Sequence, residues 1–120
     1  MVDDDADFLF TIKSVLIDNG FIVDTVECQD DIYKSILIFA PQVIILDINL
    51  NGSDGRNICR GLKNHFKTQD IPIIFCSGDA KLREGFDQYL AEDFIEKPLE
   101  VKMLIERLNY FCSLPPLSAS

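Results

Sequence analysis

The chain has 120 residues, of which 48% are hydrophobic, and its formal net charge is -9 at pH 7. This length predicts a single domain, because one hydrophobic core usually serves roughly 100 to 150 residues. The acidic excess argues against direct nucleic-acid binding, which needs clustered Lys and Arg to meet the phosphate backbone.

Helix and strand patterns alternate from the start of the chain. Apolar side chains at helical spacing predict a first helix over residues 6–19 and a second over residues 29–39. A short strand is predicted between them, over residues 21–26. Residues 43–46 form an aliphatic run without alternation, which is typical of a strand covered by helices on both faces. Asp47 follows this run directly.

The second half of the chain repeats the alternation. Its predicted elements are a third helix at residues 55–66, a strand at 71–76, a fourth helix at 80–90, a last strand at 93–96 and a last helix that begins near Val101. Such alternation implies right-handed crossovers and a parallel sheet, here a three-layer α/β/α domain with five strands. The domain is predicted to end at residue 114, and residues 115–120 to form a flexible tail.

Polar side chains end the predicted strands, at the edge of the sheet where ligands gather in folds of this class. They are Asp3, Asp4 and Asp5 after Val2, which would end a first strand, Asp47 after the strand at residues 43–46, Ser77 after that at 71–76 and Lys97 after that at 93–96. Carboxylates brought together repel one another unless a cation holds them, and oxygen ligands favour a hard ion such as Mg²⁺. A lysine and a hydroxyl beside them would bind a phosphoryl group. The set therefore predicts a magnesium site at which Asp47 is the nucleophile in phosphoryl transfer.

Four segments, in order, resemble the receiver domains of two-component response regulators. They are V-D-D-D, V-I-I-L-D-I-N-L-N-G-S-D-G, I-P-I-I-F-C-S-G and D-F-I-E-K-P-L, and together they extend over nearly the whole chain. The resemblance implies a doubly wound, flavodoxin-like parallel sheet in the order 2-1-3-4-5. It also implies that a sensor histidine kinase or a phosphotransfer protein supplies the phosphoryl group. The domain would then be a phosphoacceptor rather than an enzyme, although it would assist its own phosphorylation and dephosphorylation.

The same resemblance implies roles for individual residues. The metal-binding set would be Asp3, Asp4, Asp47 and the backbone carbonyl of Asn49, with Asp4 as the direct ligand of the acidic pair. Asp47 would also be the phosphoacceptor, and Ser77 and Lys97 would bind the phosphoryl oxygens. Gly55 matches the glycine that opens the third helix, and a cis bond is common between the lysine and the proline that follows it.

A switch is also implied. Phe94 would turn inward when Ser77 moves toward the phosphoryl group, and this movement would remodel the surface of the fourth helix, last strand and last helix. A downstream protein or output domain would dock there, or a second copy to give a homodimer.

Other interpretations stay open. A pseudo-receiver would keep the fold and act without phosphorylation. A metal-dependent phosphatase of another α/β family would need an acid two residues after Asp47, where Asn49 stands. The loop that begins at Asp47 also resembles the start of an EF-hand calcium-binding loop. Its twelfth position is Ile58 and not the glutamate that binds calcium, which argues against an EF-hand.

Each site residue also has a purely structural interpretation. Asp5 could cap the first helix, Asp47 and Ser77 could form turns, and Phe94 could belong to the core.

Three departures from the family pattern are expected to matter. Only Met1 and Val2 precede Asp3, so the first strand is truncated. Leu90 stands where a glycine often ends the fourth helix, and the spacing from Ser77 to Lys97 is slightly short, so the docking surface is expected to be unusual.

Four cysteines include no C-x-x-C pair and there is one histidine, so neither a zinc site nor a redox motif is encoded. Buried free thiols are expected at Cys76 and Cys112 in a reducing compartment. No stretch approaches the roughly 18 to 20 apolar residues of a membrane span, and no signal peptide is recognised. These features predict a cytoplasmic protein without a membrane partner.

Overall fold

The structure is a computed structural model that describes residues 1–113. In chain order its elements are α1 (Ala6–Asp18), α2 (Ile32–Phe39), β1 (Ile44–Asp47), β2 (Asn49–Leu50), β3 (Ser53–Asp54), α3 (Gly55–Lys63), β4 (Ile73–Ser77), β5 (Asp93–Glu96) and α4 (Val101–Ser113), with 3₁₀ helices at Gln29–Asp31, Ala80–Arg83 and Phe86–Tyr89. The tail predicted for residues 115–120 lies outside the described residues.

The central sheet is parallel and its regular part has the order β1-β4-β5. Val2 extends it through isolated parallel bridges to both Leu46 and Val26. Val2 therefore lies between β1 and the segment at Val26. If Val26 and Val2 are taken as the positions of the second and first predicted strands, the sheet has the predicted order. In the structure, Val2 alone occupies the position of the first predicted strand.

The strand predicted over residues 21–26 is much shorter in the structure, where only Val26 pairs. An extended segment becomes a strand only when a neighbour offers backbone partners. Here the neighbouring backbone is Met1 and Val2, whose bonds reach Asp24 and Val26 but not the residues before them.

Helices cover both faces of the sheet. One face buries Leu46, Phe75 and Phe94 against side chains of α2 and α3 such as Ile32 and Leu62. On the opposite face, strand residues pack against side chains of α1 and α4: Ile45, Ile74 and Ile95 from the strands, Ile12 and Leu16 from α1, and Leu104 and Leu108 from α4. Successive strand residues point to opposite faces, so both faces are apolar and the continuous aliphatic runs are explained. The predicted three-layer α/β/α fold is confirmed.

The fourth helix predicted over residues 80–90 is wrong, because two short 3₁₀ helices occupy this segment. Gly85 lies between them in the left-handed conformation, with φ of 77°. This turn interrupts the backbone bonds that an α-helix needs, although the apolar periodicity still brings Leu82 and Phe86 to the core. Leu90 is also left-handed, with φ of 70°, where glycine would be unstrained.

All four cysteines are free thiols. Cys76 is buried as predicted, and so is Cys59, but Cys112 is only partly buried, so the prediction for Cys112 was wrong. Burial raises the pKa of the Cys59 and Cys76 thiols to about 12. The hydrogen bond to Asp31 raises the pKa of the Cys28 thiol, and burial raises that of Cys112. Because Cys28 is exposed and Cys112 only partly so, we expect an aromatic disulfide reagent at pH 8 to label Cys28 first and Cys112 more slowly. Cys59 and Cys76 should react only after denaturation. Rapid native labelling of all four thiols, counted by absorbance, would contradict this arrangement.

Within residues 1–113, no helix combines the length and the apolar character that crossing a membrane requires.

Candidate functional site

Three aspartates meet at the carboxyl edge of the sheet. Asp3, Asp4 and Asp47 each contribute one carboxylate oxygen, and these oxygens lie within 4.8 Å of one another. Asp3 is 2% exposed and Asp47 is 4% exposed, whereas Asp4 is half-buried. Their side chains converge because parallel strands end at the same edge, as the sequence predicted.

Backbone bonds hold the two parts of this acidic cluster in register. The N–H of Asp47 donates to the carbonyl of Val2 at 2.9 Å, and the N–H of Asp3 donates to the carbonyl of Val26 at 3.0 Å. One bridging residue is therefore enough to place the acidic pair beside the end of β1.

Lys97 brings a positive charge to the acidic cluster. Its Nζ donates to Asp3 Oδ2 at 2.7 Å and lies 3.5 Å from Asp47 Oδ2. Its backbone N–H donates to the carbonyl of Ser77 at 2.8 Å, which ties the end of β5 to the end of β4. The peptide bond between Lys97 and Pro98 is cis, as expected from the resemblance.

The charges of the cluster shift one another's ionisation. Burial raises the pKa of Asp47, the charge of Asp3 adds to this rise, and the Asn49 N–H and Lys97 oppose it. Burial lowers the pKa of Lys97, but its hydrogen bond to Asp3 and the charge of Asp47 outweigh burial, so the net shift is upward. Two of the three carboxylates thus contact one ammonium.

This donor set fits a hard divalent cation. The donors are carboxylate oxygens, and the negative excess left by one lysine is the charge that a dication would offset. Asp3, Asp4 and Asp47 are the residues that could hold it, and the backbone of Asn49 lies next to them in the loop.

The loop after β1 is bonded to two of the acids. The Asn49 N–H donates to Asp47 Oδ1 at 3.1 Å, and the Asn51 N–H donates to Asp4 Oδ2 at 3.0 Å. Its two short strands, β2 and β3, pair in antiparallel fashion and pair Asn49 with Asp54. The hairpin therefore brings Asn49, the predicted carbonyl donor, to the rim of the acidic cluster.

Gly55 is the first residue of α3 and lies directly against the end of β1. A Cβ at this position would lie 2.1 Å from the carbonyl oxygen of Asp47 and 2.8 Å from the Cα of Ile48. The Gly55 N–H donates to the Ile48 carbonyl at 2.7 Å. This close approach explains the glycine that the sequence comparison had matched only by position.

Ser77 and Phe94, the two predicted switch residues, make no contact with the carboxylates of the acidic cluster among the hydrogen bonds of residues 1–113. Ser77 is fully buried, and its Oγ accepts a hydrogen bond from the Asp79 N–H at 3.1 Å. Phe94 is 1% exposed, with its ring centroid 6.1 Å from that of Phe86. The Arg83 guanidinium lies 5.0 Å above the Phe94 ring. In this conformation Ser77 shapes a turn and Phe94 belongs to the core.

The sequence reasoning missed Phe8, whose ring centroid lies 4.5 Å from Lys97 Nζ. Its helical spacing marked it as a core residue and carried no signal of a contact with the far end of the chain. The proposed capping role of Asp5 does agree with the structure, because Asp5 Oδ1 accepts from the Phe8 N–H.

Known proteins match nearly the whole chain. A family model described as the response regulator receiver domain matches residues 1–109. The chain is 30% identical over 111 residues to the heme response regulator HssR of Staphylococcus aureus, which covers 91% of this chain and 48% of HssR. It is 29% identical over 111 residues to protein PetR of Rhodobacter capsulatus, covering 91% and 46%. The chain thus spans about half the length of the curated relatives it matches.

Solved structures agree with the sequence matches. The receiver domain of NtrX from Brucella abortus superposes with a TM-score of 0.85 at 28% identity, covering 95% of this chain and 97% of that chain. A longer NtrX structure from the same organism gives a TM-score of 0.82 at 29% identity, covering 92% of this chain but 26% of that one. The shared fold includes the sheet edge on which the acidic cluster lies.

Proposed function

Because the chain belongs to the response regulator receiver family of two-component signalling, we propose that it is an Mg²⁺-dependent phosphoryl switch in which Asp47 is the phosphoacceptor. The donor would be a sensor histidine kinase or a phosphotransfer protein. The observation that carries this proposal is the convergence of Asp3, Asp4, Asp47 and Lys97 at one sheet edge.

The transfer step follows from the chemistry of the carboxylate. An oxygen of Asp47 forms a bond to phosphorus while the bond from phosphorus to the donor's histidine nitrogen breaks, and the freed imidazole takes a proton from water. Mg²⁺, when bound, would supply charge neutralisation for the phosphoryl oxygens. Dephosphorylation returns the Asp47 carboxylate and releases inorganic phosphate after attack by water.

Lys97 would exchange partners during the cycle. In the structure its ammonium is shared between Asp3 and Asp47. Phosphorylation of Asp47 would replace one carboxylate by a group with more negative charge and three acceptor oxygens, so the ammonium would turn toward it. The hydroxyl of Ser77 would turn the same way and leave the N–H of Asp79. Phe94 is already buried in this structure, so its ring would not need to turn inward in this step.

The output surface would be built by the 3₁₀ segment after β4, by β5 and by α4. Side chains exposed on this surface include Leu90, Val101, Met103 and Tyr110. Exposed apolar groups of this kind suit the docking of a downstream protein, an output domain or a second copy.

Intact mass spectrometry tests the proposal. Incubation with acetyl phosphate and Mg²⁺ should add one phosphoryl group, about 80 daltons, and a chelator should prevent the gain. Asp47→Asn should abolish the gain, whereas Asp70→Asn, at an exposed position away from the site, should leave it unchanged. A folded wild type that gains no mass would favour the pseudo-receiver, and a gain that persists in Asp47→Asn would assign the phosphoryl group to another residue.

A further inference from the structure

Phe8 is fixed in place by the same acidic motif that forms the metal-binding cluster. Asp3 Oδ1 accepts a hydrogen bond from the Asp5 N–H at 2.9 Å. Asp5 Oδ1 in turn accepts from the Phe8 N–H at 3.1 Å, which caps the start of α1. The backbone of Phe8 is therefore connected to Asp3 through two short bonds.

The Phe8 ring and Asp3 contact the same ammonium. Lys97 Nζ lies 4.5 Å from the centroid of the Phe8 ring and 2.7 Å from Asp3 Oδ2. An ammonium at this distance is attracted to the negative face of an aromatic ring. Asp3, Asp5, Phe8 and Lys97 thus form a closed ring of contacts beside Asp47.

The aromatic character of this position is separable from its packing. Phe8 is half-buried and adds to the apolar cluster between α1, α4 and the sheet. Leucine would fill much of the same apolar space, but it lacks the ring face that attracts a cation. Packing alone therefore does not account for the contact with Lys97, whose side chain is still 24% exposed and could otherwise extend into solvent.

We propose that Phe8 is a positioning residue that holds the Lys97 ammonium at the acidic cluster while its carboxylate partners change. This inference rests on the proposed function. When a cation takes up the charge of Asp3, the hydrogen bond that now fixes Lys97 weakens. The ring is uncharged and its attraction remains, so the ammonium stays within reach of the incoming phosphoryl group.

Three variants separate this role from packing. Phe8→Leu should slow phosphorylation by acetyl phosphate at saturating Mg²⁺ by about three- to tenfold, because the ammonium is no longer held by a ring. Phe8→Tyr keeps the ring and should restore the rate. Phe10→Leu is the matched control, since Phe10 lies on the same helix and is 75% exposed. The affinity for Mg²⁺, measured by calorimetry, should be nearly the same in all three.

A spectroscopic measurement tests the contact without phosphorylation. In the wild type, and in Phe8→Tyr, the ring should shift the proton resonances of the Lys97 Cε methylene upfield, and Phe8→Leu should return them to the values of a free lysine. The thermal midpoint of each variant shows whether it is folded. Should Phe8→Leu unfold, the resonances of the wild type and Phe8→Tyr still decide.

The two proposals fail in different ways. A wild type that gains no phosphoryl group but shows the shifted Lys97 resonances overturns the proposed function and keeps the contact. Unshifted resonances in the wild type, or a folded Phe8→Leu that is phosphorylated at the wild-type rate, overturn the role of Phe8.

Discussion

Alanine at Gly55 should lower the free energy of unfolding by about 3 kcal/mol or more, a larger loss than most single substitutions cause. The added Cβ would lie 2.1 Å from the carbonyl oxygen of Asp47, a backbone atom that no side-chain rotation can move away. Either α3 or the end of β1 must shift, and a shift of β1 displaces the Asp47 carboxylate. We expect urea denaturation to show the loss and phosphorylation to fall with it.

Gly61→Ala provides the control on the same helix. An alanine there would meet only the Tyr33 hydroxyl, at 3.7 Å, which is an ordinary contact. Replacing glycine by alanine inside a helix should stabilise the protein by about 0.5 to 1 kcal/mol. If Gly55→Ala proved as stable as Gly61→Ala, the close approach of α3 to β1 would be wrong.

Lys97→Met should have the second large effect, on stability and on phosphorylation together. Its removal leaves Asp3 and Asp47 as buried carboxylates without the ammonium that now contacts both. We expect a loss of about 2 to 4 kcal/mol at pH 7 without divalent ions, and phosphorylation slowed by about tenfold or more. Lys102→Met, on an exposed position of α4, should change neither quantity.

The loss in Lys97→Met should depend on pH and on Mg²⁺. Lys97 now opposes the upward pKa shift that burial gives Asp47, so its removal moves that pKa higher still. A carboxyl whose pKa is higher in the folded than in the unfolded protein binds its proton more tightly in the folded protein. The free energy of unfolding therefore falls as the pH rises from the unfolded pKa to the folded pKa of that carboxyl. Stability should therefore recover partly as the pH falls through the raised pKa of Asp47. Mg²⁺ should raise the thermal midpoint of this variant more than that of the wild type, and an equal response would contradict the shared site.

The sequence predicted those parts of the fold that depend on local pattern. The aliphatic runs of β1 and β4 and the apolar stripe of α1 are visible in a few consecutive residues, and their placement was confirmed. The structures of residues 21–25 and 80–90 differ from the prediction because they do not depend on local pattern alone. Pairing of the first segment requires a neighbouring backbone, and Gly85 turns the second out of the helical conformation despite its periodicity.

The candidate site likewise has residues that the sequence predicted and contacts that it could not predict. Asp3, Asp47 and Lys97 meet because parallel strands end at one edge, which is a consequence of topology that the sequence pattern already contains. The direction of the Ser77 hydroxyl is a choice between rotamers and partners, and no pattern determines it. The contact of Phe8 with Lys97 joins the two ends of the chain and was visible only once both were folded.

The two bridges of Val2 also affect how the protein opens locally. A local opening near Val26 would break the hydrogen bond from the Asp3 N–H to the Val26 carbonyl, so it would loosen the acidic pair while Val2 keeps its bonds to β1. A cation that binds the acidic pair more tightly in the closed form than in the open form must, by thermodynamic linkage, lower the population of the open form. Backbone amides near Val26 would then exchange their hydrogens more slowly when the cation is bound, although this segment does not line the site.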